Sequence, residues 1–373
     1  MKNKDNYIII STLTLEKAQL LQAILSDKGI ASVFEFQQGI QTLFSPDVTV
    51  SIKKEYLPQL IQLLKERPGY EQSFQINVDE LQSSNTILVP IDFSDYSMRA
   101  CRFAFDLASH IKSSVKLLHA FFTPYMPSSY PDTDNFSMEI NEEMVSQELN
   151  KRVHEQAKDF SQNLTRQILA GKLPDVNFEF VIVEGIPEEE INHWARENNP
   201  IMIVMGTRGK DQKEQDLIGS VTAEVIDTSK VPVFAIPEDT QAVTIHDVKR
   251  LAFVTNFDQR DLLGFDKLMH LKGFKDKQIS FIYLMNKKSD FDFCRMEYIS
   301  NYLVEKYPDL KATFGKMDET ELLRNTDDFI RDDRIDVLVL TTHKRNIFAR
   351  LFNPSIAHKM VFHSDTPLLI IRN

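Results

Sequence analysis

The chain has 373 residues, 42% hydrophobic and 26% charged, with 43 basic against 54 acidic side chains and a net charge of −11. At roughly 150 residues per domain this implies about two to three domains, and the balance excludes a disordered or fibrous chain. The acidic excess disfavours general affinity for nucleic acid or an anionic membrane, which needs a dense basic face.

No apolar run approaches the ~20 residues that cross a bilayer. The start, Met1-Lys2-Asn3-Lys4-Asp5 and then Tyr7 to Ile10, lacks the longer apolar stretch of a secretory leader. Cys101 and Cys294 are too few and too far apart for a disulfide framework or a zinc ribbon. The expectation is a cytoplasmic protein. Glycine is sparse, 11 in the whole chain, so any cluster of glycines is informative.

In chain order, Tyr7–Ser11 reads as a strand. Leu15–Lys28 reads as a helix with Leu20, Leu21, Ile24 and Leu25 at helical apolar spacing. Gly29 stands where a helix end needs a left-handed residue. Ile30–Phe36 and Val48–Ile52 read as strands, and Tyr56–Leu64 as a helix ending near Pro68-Gly69. This βαββα order predicts a small α+β domain over 1–70, followed by a linker over 71–85.

From Thr86 the pattern changes to buried strands alternating with helices. Ile87–Ile91, Val115–Phe121, Phe178–Val183, Ile201–Met205 and Val231–Ile236 read as strands. Ser94–Lys112, 140–170 and Glu188–Asn198 read as helices between them. Such alternation predicts a doubly wound parallel sheet with right-handed crossovers, over 86–238.

The remainder, 248–373, repeats that pattern with strands at Leu251–Thr255, Gln278–Leu284, Val337–Leu340 and Leu368–Ile371. An ungapped offset of 135 lays Ile203-Val204-Met205 on Leu338-Val339-Leu340, Gly219-Ser220 on Pro354-Ser355, and Pro232 on Pro367. The fold expected is α/β: two tandem doubly wound parallel-sheet domains after the small α+β domain.

Three of the eleven glycines fall in one loop, Gly206-Thr207-Arg208-Gly209 and then Gly219-Ser220. A loop leaving the carboxyl end of a parallel strand stands at the crevice where doubly wound sheets bind ligands. Glycines let backbone amides approach phosphate oxygens without a Cβ in the way. Ser220 is expected as the N-cap of the next helix, leaving the amides of Val221 and Thr222 facing an anion. The plain alternative is a tight surface turn. Asp92, for its part, reads by itself as an N-cap or Asx turn before the helix at Ser94.

The G-x2-G-x9-G-[ST] pattern after a buried strand resembles the ATP-binding signature of the universal stress protein family (UspA-type domains). Val89-Pro90-Ile91-Asp92-Phe93-Ser94, Leu118-His119-Ala120, Glu184-Gly185-Ile186-Pro187 and Val231-Pro232-Val233 agree with it in order. The resemblance is strong over 86–238 and weaker over 248–373. It implies an adenine nucleotide alpha hydrolase-like fold and ATP held with Mg²⁺ or Mn²⁺.

Pro90, Ile91 and Asp92 would then flank the adenosine, and Ala120 would line the adenine pocket. Met205 would form a floor beneath the phosphates. Gly206, Arg208, Gly209, Gly219, Ser220, Val221 and Thr222 would surround the triphosphate. Family members commonly pair through an edge strand, so Val231–Ile236 and Leu368–Ile371 are expected to meet inside this chain as a pseudo-dimer. A homo-oligomer and an unidentified protein partner also fit the resemblance. Residues 1–70 resemble a small prokaryotic signal-transducing domain, through Glu16-Lys17-Ala18 and Asp27-Lys28-Gly29-Ile30.

In the second repeat Asn256 stands at the Asp92 position, and the glycines become Thr341, Lys344 and Pro354. Lysine and proline cannot offer a Cβ-free approach, and proline also removes an amide donor. That repeat is therefore expected to lack the ATP site. Its 341–360 loop carries Lys344, Arg345, Arg350 and Lys359 with no acidic residue, a solvated surface or a site for another anion.

No P-loop, G-x-G-x-x-G, H-E-x-x-H or G-x-S-x-G motif occurs. His119 and Cys101 read as packing, and Glu188–Glu190 as carboxylates suited to a helix start. Three functions follow. One is an ATP-binding stress or signalling module with one site, another a slow ATP hydrolase or nucleotidyl transferase, and the third a nucleotide-free scaffold with a relic loop.

Overall fold

The structure, a computed structural model, describes residues 7–36, 47–67, 69–76, 84–122, 135–207, 219–237, 240, 244–255, 259–285, 299–303, 305–318, 330–342 and 366–372. The chain forms two compact units, Met1–Ser83 and Ser84–Asn373.

In the first unit, β1 (Tyr7–Thr14), β2 (Ser32–Phe36) and β3 (Asp47–Lys53) form an antiparallel sheet in the order β1-β3-β2. Helices α1 (Leu15–Asp27), α2 (Leu57–Glu66) and α3 (Tyr70–Ser73) complete it. Val48, Val50 and Ile52 alternate along β3 and are fully buried with Leu21 and Leu25 of α1 and Leu60 of α2. The apolar stripe of α1 is narrower than its spacing suggests: Leu20 is 57% exposed, while Ala18 takes the inward place.

α1 ends in a Schellman turn, with Ile30 N–H on the Leu25 carbonyl at 2.9 Å and Gly29 N–H on Ser26 at 3.0 Å. Gly29 sits there at φ +72°, as its position predicts. Within the stretch read as linker, α3 forms and Phe74 and Ile76 are buried in this unit's core.

The second unit holds one ten-stranded sheet. Its strands in chain order are β4 (Ser84–Pro90), β5 (Ser114–Phe121), β6 (Phe178–Glu184), β7 (Pro200–Gly206), β8 (Val233–Ile236), β9 (Arg250–Thr255), β10 (Gln278–Met285), β11 (Ala312–Asp318), β12 (Val337–Thr342) and β13 (Leu368–Arg372). The sheet order is β11-β10-β9-β12-β13-β8-β7-β4-β5-β6. Each half is parallel, and the halves join where β13 runs antiparallel to β8 with Leu369 opposite Phe234. The two strands expected to meet do so. The edge strand β11 is absent from the sequence reading; Ala312-Thr313-Phe314-Gly315-Lys316 is too polar to read as a buried strand.

Helices α4 (Asp95–Ile111), α5 (Asn135–Leu169), α6 (Pro187–Asn198), α7 (Ser220–Thr228) and α8 (Gln259–His270) cover both faces. Because strand side chains alternate, each strand feeds two cores. Ile87 and Val89 pack with Phe103, Phe105 and Phe265 on the face of α4 and α8. Leu88, Ile203 and Val233 pack with Ile191 and Val225 on the face of α6 and α7. Both cores run through the two repeats without interruption.

Candidate functional site

In each half the strand order reverses once, between β4 and β7 in the first repeat and between β9 and β12 in the second. The carboxyl ends of two such strands diverge into a crevice. Pro90 ends β4, Ala120 lies near the end of β5, and Met205-Gly206 end β7, so the ends of three neighbouring strands gather these positions.

The turn from β4 to α4 is built by hydroxyls. Ser94 N-caps α4, its Oγ accepting from Ser97 N–H at 3.2 Å. Asp92 Oδ1 accepts from Ser94 N–H at 3.0 Å, an Asx turn, and also from the hydroxyls of Ser94 and Ser97. Asp92 N–H donates to Ser97 Oγ at 2.9 Å. The Asx-turn geometry foreseen for Asp92 is thus present, and it fixes one carboxylate oxygen at the mouth of the crevice.

Phe93 completes the turn with φ +63°, a left-handed conformation costly for an aromatic residue. Its ring lies 4.3 Å from that of His119 and 5.8 Å from that of Phe160. His119 Nδ1 is 2.7 Å from the Ile91 carbonyl oxygen, so it is a satisfied packing histidine as its apolar strand predicts. Phe93 and His119 lie within the stretches that carry the family resemblance but take no role from it, and Ser97 lies outside any motif. The Asp92-x-Ser94-x-x-Ser97 spacing is the one sequence signal for the serine pair.

The β7–α7 connection is clamped at its base. Gly219 N–H donates to the Thr207 carbonyl at 2.7 Å, and Thr222 Oγ1 donates to the Gly206 carbonyl at 2.9 Å. Arg208 and Gly209 lie outside the described residues. A Cβ on Gly206 would sit 3.2 Å from both Cβ and the carbonyl oxygen of Tyr96. Its glycine identity therefore serves close packing against the first turn of α4.

α7 begins one residue earlier than its sequence suggests. Gly219, at φ −67° and ψ 146°, is the N-cap and gives no side-chain cap, and exposed Ser220 is the first helical residue. The first helical hydrogen bond runs from Ala223 N–H to the Gly219 carbonyl at 2.9 Å. The amides of Ser220, Val221 and Thr222 thus precede it and have no acceptor within the helix. With the dipole of α7 behind them, they form an anion-seeking end.

The second crevice is built differently. Thr341, at the Gly206 position, and Thr255, at the end of β9, both donate to the buried carboxylate of Asp261 in α8. The Thr255 bond is 2.8 Å long. At the position where the first repeat has Gly206, the second thus carries a side chain bonded to a buried carboxylate. Asn256, Lys344, Pro354, Ser355 and the basic positions 345, 350 and 359 lie outside the described residues.

Cys101 is fully buried in α4, and burial pushes its thiol pKa up, which fits packing rather than nucleophilic chemistry. Glu188, Glu189 and Glu190 occupy the first turn of α6. Among the described residues no cluster of three or more His, Cys, Asp or Glu could hold a metal ion. Nor is any helix among them long and apolar enough to cross a membrane.

A doubly wound α/β sheet with a helix start at its switch point is an adenine nucleotide alpha hydrolase-like fold. The Universal stress protein family model matches residues 84–237. Universal stress protein MJ0577 of Methanocaldococcus jannaschii is 31% identical over 159 residues, 40% of this chain and 93% of the relative. Universal stress protein YxiE of Bacillus subtilis is 27% identical over 157 residues, 41% of this chain and 98% of the relative. The crystal structure of a universal stress protein from Archaeoglobus fulgidus superposes at a TM-score of 0.54 and 16% identity, over 78% of this chain and 97% of that one. That last likeness shows the fold alone, and it spans more of the chain than one repeat. The chain belongs to the universal stress protein family.

Proposed function

We propose that the chain is an ATP-binding member of this family, with one nucleotide site in the first repeat, acting as a signalling module in the stress response. The observation that carries the reading is the start of α7. The amides of Ser220, Val221 and Thr222, which have no acceptor within the helix, stand at the end of β7 beside Gly206, whose carbonyl Thr222 Oγ1 holds at 2.9 Å. The triphosphate would lie against these amides over Met205, Gly206 and Gly219, with Arg208 and Gly209 from the loop. Asp92, held at the crevice by Ser94 and Ser97, would accept from a ribose hydroxyl. Pro90, Ile91 and Ala120 would line the adenine pocket.

Mg²⁺ or Mn²⁺ would be ligated mainly by the phosphate oxygens, which needs no carboxylate cluster from the protein. This assembly binds and orients. Nucleotide occupancy and its effect on a protein partner are the expected output, in the cytoplasm. In the second repeat the Asp261 carboxylate would repel the phosphates.

Calorimetric titration of nucleotide-free protein with ATP and Mg²⁺ tests the reading. Binding that is abolished in Gly219→Val and retained in Lys344→Ala is expected. No heat up to millimolar ATP from the unaltered chain would favour the scaffold instead.

A further inference from the structure

The far end of α7 is as informative as its start. Its last turn carries no basic residue, and Asp227 there puts the wrong sign of charge at a helix C-terminus. The cation comes from the other repeat. Arg372, at the end of β13, donates from Nη1 to the Asp227 carbonyl at 2.8 Å and, more weakly, to the Ser229 carbonyl at 3.5 Å. Arg372 is itself held on both sides. Its carbonyl accepts from Lys267 Nζ of α8 at 2.9 Å, and its backbone pairs with Thr342 of β12. The amide end of α7 thus faces the first-repeat crevice while its carbonyl end rests on the second repeat.

We propose that Arg372 is a positioning residue for phosphate binding, through which the second repeat braces the phosphate end of the first-repeat site. The inference rests on the reading that the α7 amides hold the triphosphate. Two effects act together. Capping the last carbonyls fixes the helix along its axis, and a cation at the C-terminus reinforces the field that the N-terminal amides present. Nine residues at ~1.5 Å rise separate the two ends by about 13 Å, so Arg372 touches no ligand and acts only through the helix. The second repeat thereby keeps a task after the loss of its own glycines.

The test compares the full chain with Arg372→Gln and Arg372→Lys, each titrated by calorimetry with Mg²⁺-ATP and, separately, with adenosine. Arg372→Gln is expected to weaken ATP about two- to fivefold and leave adenosine unchanged, because only the phosphates meet the α7 amides. Arg372→Lys, which keeps a cation near the same carbonyls, is expected to recover most of the loss. Unchanged adenosine affinity also shows that the variant is folded. Equal weakening of ATP and adenosine would make Arg372 a general structural contact, and unaltered ATP affinity would remove it from the site; either overturns the proposal. Failure of the unaltered chain to bind ATP is a separate result, which removes the phosphate site and this role with it.

Discussion

Single residues divide the proposed site into parts that tolerate change and parts that do not. Gly219 has ordinary extended dihedrals, so Gly219→Val strains no backbone. A branched side chain at this buried N-cap would crowd the neighbouring amides, and the expected outcome is lost ATP binding, with cooperative urea unfolding retained as the sign that the variant is folded. Gly206 differs, because a Cβ there would sit 3.2 Å from Tyr96. Gly206→Ala is expected to cost about 1–3 kcal/mol of stability through overpacking, and to weaken ATP by pushing α4 and Asp92 outward; unchanged stability would contradict the packing argument. Cys101 makes a prediction about pH. Its folded pKa is raised by burial, whereas the unfolded thiol ionises near ~8.5. Above that pH the unfolded state holds fewer protons, so stability falls as pH rises, by about 1.4 kcal/mol per unit from this group. Urea midpoints from pH 8 to 10 should show that slope lessened in Cys101→Ala, and equal slopes would sink the assignment.

At the level of elements, strand pairing and aromatic packing tie the two repeats together at their joint. Phe234 of β8 stacks on Phe103 at 4.6 Å and lies 6.0 Å from Phe274 of the second repeat. Phe234→Ala is expected to cost about 3–5 kcal/mol and to lower the unfolding of both repeats together; loss confined to one repeat in a hydrogen-exchange experiment would contradict it. Most of these elements are legible in the sequence because buried parallel strands are compact apolar runs, as at Ile87–Val89 and Ile203–Val204, and the offset of 135 exposes the duplication. β11 is not legible, since an edge strand needs one apolar face only. The glycine loop advertises the crevice, but the reasons behind it are tertiary. Nothing local says that Gly206 abuts Tyr96, that Asp261 joins Thr255 to Thr341, or that Arg372 reaches α7. One residue of error at Ser220 has a local cause: a serine is a good N-cap by type, yet Gly219 holds the extended dihedrals that the cap requires.

Over the whole molecule, two repeats share one sheet and two continuous cores, and a phosphate site is proposed in the first repeat alone. Pairing of β8 with β13 inside the chain completes the joint that the family resemblance expects between subunits. The account then reduces to a number: nucleotide per chain. The direct measurement is to denature the purified protein, chromatograph the released nucleotide, and titrate the emptied protein with Mg²⁺-ATP. About one ATP per chain is predicted, with binding lost in Gly219→Val. Two equivalents per chain would contradict a site confined to the first repeat, and none at millimolar ATP would contradict the site itself.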